Sequence, residues 1–507
     1  MAWEIVEEEK TVFTQDAFGF QQTQPVLVSR FILNLPSSWE TRGVIFNHAP
    51  VEPAVSGNTN TWELHDLALI DREDFSPAIN ALAPRLVVSY FPPAGNSAGL
   101  QGLRDWGAVS NWLSPLVDPA VDLSDTIRAK AQELTANAPT ELEKIAAIAK
   151  FVQQTNYVEI SLNVTRGGGY TPHRASDSLA KNYGDCKDKA TLMRALLRVV
   201  GIDSYLTTIT SGDRSYVRPE WASPMQFNHA IVAVHVTDAI KLPTVVEQTP
   251  VGRLLIFDPT DRFTQLGDLP ESEQASYALV IAGAQGVLLK MPQLPPDSRR
   301  VESSIEATMD PTGKLQARLQ RQYFGQSSIF LRAVQQTRGD EDVKKRFERT
   351  FTRRVGGTNL SKVTTEDHPE DHRMNVDVDL TADVFGQVMQ GKLLVVRPGL
   401  LSNSGEYYFN TRQRTTPVKL DAQLRRDSIR IKIPAGFKLD EIPSPAKVES
   451  PYGTLAATWT VKDGEIQMQE TLEIKDVVAP MADYAKVRDF FDKVAGAQGA
   501  PVVLVRE

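Results

Sequence analysis

The sequence predicts an α+β fold in which helices come first, strands follow, and strand-rich segments flank this core on both sides. Between residues 140 and 200, apolar residues recur three or four positions apart, which is typical of helices buried on one face. From residue 204 to 257, and in both flanks, apolar and polar residues alternate between Gly, Pro and Asn, as in antiparallel strands. Helices that precede the strands, instead of alternating with them, indicate an α+β order.

The chain is long enough for several domains. It has 507 residues, and single hydrophobic cores stop growing beyond about 250–300 residues. We predict an N-terminal β-rich domain at 1–119, a helix-then-strand core at 120–291 and a C-terminal β-rich domain at 297–507. The flanking domains are expected to be sandwich-like. With 41% hydrophobic and 23% charged residues, the composition is that of a folded globular protein.

The N-terminal region reads as short strands followed by one helix. Alternating runs from residue 12 to about residue 90, such as 26–33, predict antiparallel strands. A Pro/Gly-rich loop is expected at 91–102. Apolar residues at 106, 109, 112 and 113 then predict a short helix over 106–116.

Two helices are predicted in the core. Thr140 and Glu143 have the spacing of a capping box at the start of the first. Residues 157–164 are expected to be extended, and 166–170 are expected to form a loop. This glycine-rich loop is not a phosphate-binding P-loop, because the Gly-Lys-Ser/Thr of that motif does not follow it. Cys186 stands at the start of the second helix, and Gly201 is in position to end it.

Strand patterns return after this helix. We predict strands at 204–210, 229–236 and 254–257 and a hairpin within 277–289 that turns at 283–286. This last segment is the longest apolar stretch, but it is interrupted and too short to span a bilayer. Strands continue after a Pro-rich linker at 292–296. A helical insert at 343–355 and a final helix at 482–495 interrupt them.

Charge and cysteine content narrow the possible functions. The net charge of −8, without a dense Lys/Arg cluster, argues against nucleic acid as a partner. Residues 1–10 are acidic and lack the basic and apolar regions of a signal peptide. The single cysteine excludes an intramolecular disulfide and leaves the redox compartment undecided.

Cys186 is the candidate nucleophile. A helix N-terminus favours the thiolate through its partial positive charge and unpaired N–H groups. Asp185 can cap the helix and Gly184 allows a sharp turn into it, whereas the nearby lysines and aspartates leave the local charge ambiguous. The alternative is an inert core cysteine, because free cysteines are often buried.

His229 and Asp258 complete the three roles of covalent catalysis, those of nucleophile, base and orienting residue. His229 begins a predicted strand, where its side chain can face a cleft. His235 shares that strand face but lies roughly 20 Å further along, so the two cannot serve one thiolate. Asp258 follows an apolar strand that Pro259 ends, a context that also suits a simple turn aspartate.

Three motifs together resemble the transglutaminase-like superfamily. They are Tyr183–Leu192, Asn228–Ala230 and Asp258–Thr260. The similarity is greatest to bacterial proteins that join an uncharacterised N-terminal β domain to this core, in which a segment like Tyr170–Ser176 precedes the cysteine motif. The resemblance is strong over about 123–269. It is weaker elsewhere, where it rests on the Trp106/Trp112 helix and on the segments Pro434–Phe437 and Tyr484–Arg488.

This resemblance implies a papain-like α+β core with Cys186, His229 and Asp258 as its triad. It implies protein or peptide substrates and a periplasmic or exported location. Members of the family usually begin further upstream, with an export signal, so we expect the N-terminal domain to be truncated. The resemblance and the motifs leave the oligomeric state open.

The predicted reaction is acyl transfer from a peptide or glutamine-side-chain amide through a Cys186 thioester. Water as acceptor would make the protein a protease or amidase, and a lysine amine would make it a cross-linking acyltransferase. Hydrolysis is favoured because bacterial relatives with this core are often considered hydrolytic. The alternative is a non-catalytic binding or scaffold protein of the cell envelope.

Further candidates surround the motif. Asn182 or Tyr183 could supply an oxyanion donor beside the Cys186 N–H, and His173 could line the cleft or serve a structural role. We predict no metal and no cofactor, since EF-hand spacing is absent from the sequence. The set His368, Glu370, Asp371 and His372 reads as a solvated acidic loop, because Pro369 prevents a helix there.

Overall fold

The computed structural model of the protein describes residues 13–93, 102–159, 169–247, 249–402 and 407–507. Contacts divide the chain into two compact units, one of residues 1–72 with 78–293 and one of residues 73–77 with 294–507. Residues 1–10, most of the predicted loop at 91–102, the extension at 160–164 and residues 166–168 of the predicted loop at 166–170 lie outside the described residues.

The N-terminal strands of the first unit form two small antiparallel sheets, ordered β1-β6-β3 and β2-β5-β4. Their strands are β1 (Gln15–Gly19), β2 (Val26–Asn34), β3 (Glu40–Phe46), β4 (Ala54–Ser56), β5 (Thr59–Leu67) and β6 (Arg85–Phe91). Trp62 is buried between them with Ile45 and Leu86. The predicted antiparallel strand pattern is therefore confirmed in this region.

Five helices lie in the described part of the first unit, and all but one of them begin with a side-chain cap. They are α1 (Trp106–Val117), α2 (Asp125–Thr135), α3 (Glu141–Gln154), α4 (Ala175–Lys181) and α5 (Cys186–Val199). The predicted capping box of α3 is present, with both Thr140 and Glu143 engaged. Gly201 follows α5 with a φ of 78°, a conformation that glycine adopts without strain.

A six-stranded antiparallel sheet, ordered β11-β12-β10-β9-β13-β14, packs against α5. The remaining strands of the unit are β7 (Asn156–Tyr157), β8 (Tyr183–Gly184), β9 (Ser204–Ile209), β10 (His229–His235), β11 (Val245–Val246), β12 (Leu254–Phe257), β13 (Tyr277–Val280) and β14 (Val287–Lys290). Leu192 and Leu196 of α5 are fully buried in one cluster with Val232 of β10. Burial of each leucine contributes about 1.5–3 kcal/mol, which fixes the helix on the sheet.

The second unit is built on an eight-stranded sheet, ordered β17-β18-β16-β15-β22-β26-β25-β24, and a four-stranded sheet, ordered β19-β20-β28-β23. Strands β15 and β22 are parallel, and the other neighbours are antiparallel. The elements are β15 (Arg300–Met309), β16 (Leu315–Phe324), α6 (Gln326–Arg338), α7 (Asp340–Thr352), β17 (Thr358–His368), β18 (Arg373–Ala382), β19 (Gln387–Met389), β20 (Leu393–Val396), β21 (Val418–Leu420), β22 (Gln423–Lys432), β23 (Phe437–Glu441), β24 (Ala446–Ser450), β25 (Gly453–Lys462), β26 (Glu465–Ile474), β27 (Val477–Ala479), α8 (Tyr484–Gln498) and β28 (Val502–Arg506).

One face of the large sheet is buried beneath helices. Ile305, Leu319 and Ile429 of the sheet share a hydrophobic cluster with Val343 and Phe347 of α7. The alternation of buried and exposed residues along β15 and β16 follows directly from this one-sided packing. The second unit thus combines a covered sheet face with an outer face that carries polar side chains.

The helical insert predicted at 343–355 corresponds to α7, but the prediction of a single helix is wrong because α6 precedes it. Gly339, with a φ of 77°, separates α6 from α7. Helix α6 follows Gly325 and has no side-chain cap, so the sequence lacked the usual start signal. In the part of the chain that the structure describes, no helix is long and apolar enough to cross a membrane.

The predicted division into three domains stays a prediction. The boundary between the two compact units falls between Gln293 and Leu294, within the Pro-rich linker. Within the first unit, the N-terminal sheets have their own hydrophobic cluster. They also contact the core, since Trp221 packs against Phe46 and Val87.

Candidate active site

Cys186 is the first residue of α5, and a capping box fixes the chain around it. The Asp188 N–H donates to the Asp185 carboxylate at 3.1 Å, and the Asp185 N–H donates to the Asp188 carboxylate at 3.2 Å. This predicted role of Asp185 is confirmed. The thiol therefore lies in the first helical turn, where the partial positive charge of the helix favours a thiolate.

Gly184 is required for the chain to enter the helix in this way. A Cβ atom at this position would lie 2.6 Å from the Asp188 Cβ, a separation that real Cβ contacts do not show. Any larger residue would displace Asp188 and open the capping box. The glycine before the nucleophile thus serves close packing, and its φ is not in the left-handed region.

His229 and Asp258 meet at one end of the six-stranded sheet. His229 is the first residue of β10, Asp258 directly follows β12, and these two strands are neighbours. The His229 Nε2 atom lies 3.1 Å from the Asp258 Oδ2 atom. The other carboxylate oxygen accepts the Thr260 N–H at 2.8 Å and its hydroxyl at 2.7 Å. Asp258 is therefore held in place on both sides.

The environment of His229 favours the imidazolium. Burial alone would lower the pKa of His229, but the hydrogen bond to Asp258 and the negative charge of Asp258, with a contribution from Cys186, raise that pKa to about 11. Burial would likewise raise the pKa of Asp258, yet the hydrogen bond and charge of His229 hold that pKa below its usual range. The two side chains form a buried ion pair, with 13% and 4% of their surfaces exposed.

The third contact joins this pair to the nucleophile. Cys186 lies close to the His229 ring and contributes to the raised pKa of His229. Because Nε2 faces Asp258, Nδ1 is the ring nitrogen left for the sulfur. The structure thus brings together the three residues on which the sequence analysis based its triad, and Cys186 is only partly buried, so a substrate can reach it.

Two family models match this chain. Residues 128–239 match the transglutaminase-like superfamily. This segment is a transglutaminase-like core. Residues 392–504, in the second unit, match a domain of unknown function that has a solved structure. The resemblance stated from the motifs is therefore confirmed for the core.

Solved structures extend the comparison to the whole chain. A candidate protease from Parabacteroides distasonis ATCC 8503 shares 13% identity over 98% of this chain and 76% of its own, with a TM-score of 0.59. Likeness at this identity supports the α+β fold alone. A candidate cysteine protease from Cytophaga hutchinsonii covers 54% of this chain and 84% of its own at 14% identity, but its TM-score is only 0.22. None of the curated proteins matches the chain.

Tyr157 is a residue of the transglutaminase-like core that the sequence analysis did not place at the site. Strand β7 pairs in parallel with β8, so that Tyr157 lies beside Gly184, two residues before the nucleophile. Burial, together with the nearby Cys186 and Glu159, raises the pKa of Tyr157. The two-residue strand has no sequence signature, so only the fold reveals this proximity.

Glu273 is a second residue that sequence reasoning missed. One of its carboxylate oxygens lies 3.7 Å from the His229 Nε2 atom, and the side chain is 1% exposed. Its other oxygen has no hydrogen-bond partner among the described residues. Burial and the charge of Asp258 raise the pKa of Glu273 well above its usual range, which favours a neutral acid that hydrogen-bonds to Asp258. It stands in a turn without any motif.

The lysines of the cysteine motif have structural roles. Lys187 forms an ion pair with Asp185. Lys189 is buried, and its Nζ donates to the carbonyls of Gln153 at 3.3 Å and Thr155 at 2.9 Å. Burial lowers the pKa of Lys189 to about 8. Lys189 therefore fastens the end of α3, and with it β7, to the nucleophile helix.

The other candidates lie around the motif in different roles. The His173 Nδ1 atom contacts the Asp188 carboxylate at 3.0 Å, while 67% of its side chain is exposed. Asn182 adopts a φ of 53°, and its carbonyl accepts the Asn156 N–H at 3.1 Å. Tyr183 is exposed on β8. These contacts fix the chain before Cys186, and a catalytic role for the three residues stays a prediction.

Among the described residues, two clusters have metal-ligating atoms within 4.8 Å of one another. The first is His229, Asp258 and Glu273, whose closeness is already explained by the hydrogen bonds among them. The second is His368 with Glu370 and Asp371, at a short turn where His368 contacts Glu370 at 3.4 Å. His372 is not part of it. The expectation of no metal and no cofactor stays a prediction.

Proposed function

We propose that the transglutaminase-like core is a cysteine hydrolase that cleaves peptide or glutamine-side-chain amides through a thioester on Cys186. The observation that carries this proposal is the hydrogen bond of 3.1 Å between His229 and Asp258, with Cys186 close to the His229 ring at the start of α5. The description of one structural neighbour as a candidate protease agrees with it. Protein or peptide substrates follow from this reaction.

The first half of the reaction forms the thioester. The Cys186 thiolate attacks the amide carbonyl carbon, and the carbonyl π electrons move to oxygen to form a tetrahedral oxyanion. The intermediate collapses when the carbon–nitrogen bond breaks. The His229 imidazolium gives its proton to the departing nitrogen, which leaves as ammonia or an amine. The raised pKa of His229 keeps that proton in place until the leaving group needs it.

The second half releases the acyl group. His229, now neutral, takes a proton from water, whose oxygen attacks the thioester carbon. The carbon–sulfur bond breaks, the carboxylic acid leaves and the thiolate returns beside the imidazolium. Asp258 holds the ring orientation throughout, because its own carboxylate is fixed by Thr260. A lysine amine in place of water would give a cross-linked product by the same steps.

Tyr157 and the Cys186 N–H supply the oxyanion donors in this proposal. A developing oxyanion is stabilised by two donors that are aimed before the reaction begins. The backbone N–H of Cys186 lies at the N-terminus of α5, and Tyr157 pairs with Gly184, two residues before Cys186. The pairing of β7 with β8 keeps the Tyr157 hydroxyl close to the reacting carbon.

Tyr157→Phe is expected to lower kcat by about 10²–10³-fold, the loss typical of one oxyanion donor, with a smaller change in KM. Phenylalanine keeps the ring and removes only the donor. Steady-state kinetics with the best hydrolysed peptide measure the effect. Tyr205→Phe is the matched control, since Tyr205 of β9 pairs with Ala233, away from the His229 end of β10. Equal kcat in wild type and Tyr157→Phe would exclude this role.

The hydrolase proposal itself is tested with glutamine-containing peptides, offered with and without a primary amine. Mass spectrometry separates cleaved backbone, deamidated glutamine and amine-linked product in one experiment. We expect hydrolysis in both conditions. Amine-linked product as the dominant outcome would replace the hydrolase proposal with cross-linking.

A further inference from the structure

A cavity of about 730 Å³ lies in the second unit, where helices α6 and α7 meet the covered face of the large sheet. Strands β15, β16 and β22 contribute to its walls. Its lining contains six arginines, namely Arg299, Arg321, Arg346, Arg353, Arg354 and Arg425. No Asp or Glu is among the described residues that line it. This concentration of positive charge contrasts with the net charge of −8 of the whole chain.

The six arginines of the cavity differ in their exposure to solvent. Arg346 and Arg353 are exposed, and Arg299 and Arg354 are half-buried. Arg321 and Arg425 are buried in the wall that the sheet forms. Guanidinium groups at successive depths can pass an anion inwards and then hold it by several hydrogen bonds at once. Arginine suits this role because its planar donors match the geometry of phosphate and carboxylate.

Arg321 gives the independent sign of a missing ligand. It is 1% exposed, and its Nε atom donates to the Ser303 hydroxyl at 2.9 Å. Its Nη2 atom is buried and has no hydrogen-bond partner among the described residues. An unpaired buried guanidinium N–H is unfavourable, and an anion in the cavity would satisfy it.

Nearby carboxyl groups do not cancel the charge. Asp427 pairs with Ser303 across β15 and β22, and Glu470 pairs with Asp427 across β22 and β26. Burial and the charge of Asp427 raise the pKa of Glu470 to about 7, so Glu470 is partly neutral near neutral pH. Glu470 also interacts with Arg354 and Arg425, and neither carboxyl group is part of the cavity lining.

Apolar groups complete the wall. The Arg346 guanidinium lies 4.5 Å from the centroid of the Phe330 ring, and Tyr323 and Phe347 also line the cavity. The volume falls within the range of about 300–1,000 Å³ found for small-molecule sites. We propose that this cavity binds a small molecule that carries phosphate or carboxylate groups, with the arginines as its ligands and the aromatic rings as its apolar wall.

The test is calorimetric titration of the whole chain with inorganic pyrophosphate and, separately, with citrate. The salt concentration is about 0.15 M, where the Debye length of about 8 Å screens unspecific attraction. We expect saturable 1:1 binding of at least one anion. Binding of pyrophosphate or of citrate shows whether the cavity recognises phosphate or carboxylate groups. If neither anion gives a saturable binding curve, the proposal is overturned.

Matched variants test whether the anion binds in this cavity. The double variant Arg346→Gln with Arg353→Gln removes two exposed charges at the cavity and is expected to weaken binding by about tenfold or more. Arg321→Gln is also expected to weaken anion binding. If Arg321→Gln does not fold, the double variant of Arg346 and Arg353 still tests the site. The control is Arg426→Gln with Arg430→Gln, two exposed arginines on the other face of β22. Equal weakening by the control pair would show general charge attraction and refute the site.

Discussion

Cys186→Ala is expected to abolish thioester formation and to lower amide hydrolysis by on the order of 10⁶-fold, the loss typical when a triad loses its nucleophile. The cause is chemical, because alanine has no atom that can form the acyl bond. The chain contains a single cysteine, so no neighbouring thiol can substitute for it. Kinetics with glutamine-containing peptides and mass analysis of the trapped acyl-enzyme measure both effects.

The matched control for this variant is His235→Ala. His235 lies on the same strand as His229, but six residues further along, roughly 20 Å away at the rise of a β-strand. Most of the activity should therefore remain in this variant. Identical behaviour of wild type and Cys186→Ala on every peptide that is turned over would remove Cys186 from the chemistry and favour the non-catalytic scaffold alternative.

Asp258→Asn is expected to lower kcat by about 10²–10⁴-fold without eliminating the activity. Nucleophile and base remain, but the ring of His229 loses the carboxylate that orients it and stabilises its charge. Asp261→Asn is the control, since Asp261 lies in the same turn and its carboxylate bonds to Phe263 and Thr264. Equal losses in the two variants would contradict the orienting role.

The same variant has a predicted effect on stability. The pKa of His229 is raised from 6.5 to about 11 in the fold, so the stabilisation from its charge is complete below pH 6.5 and is lost as the pH rises towards 11. The melting temperature of the wild type should therefore fall over that window. In Asp258→Asn this fall should be smaller, because the raised pKa depends on Asp258. Thermal unfolding at several pH values measures the difference.

The triad could be proposed from the sequence because each member stands at a recognisable element boundary. Gly184 and Asp185 indicate the start of α5, the strand pattern that begins at His229 indicates β10, and Pro259 marks the end of β12. These signals are local, so they can be read without knowing the fold. The distances within the triad depend on how α5 packs on the sheet, and no local pattern encodes them.

Tyr157 and Glu273 could not be found in this way. Tyr157 comes close to Cys186 through a parallel pair of two-residue strands, which leave no period in the sequence. Glu273 stands in a turn after Pro270, and its importance comes entirely from burial beside Asp258. The helix α6 was missed for a related reason, since its start has no side-chain cap. Non-local contacts and uncapped elements are the part of this molecule that the sequence does not reveal.

The central claim is that His229 holds Cys186 as a thiolate paired with an imidazolium. Alkylation by iodoacetamide tests it most directly, and the single cysteine makes the product unambiguous by mass. At about pH 5.5 the wild type should react at least about tenfold faster than His229→Asn, because the variant lacks the imidazolium beside the sulfur. A wild-type rate equal to that of the variant, or a Cys186 that reacts only after unfolding, would contradict the account.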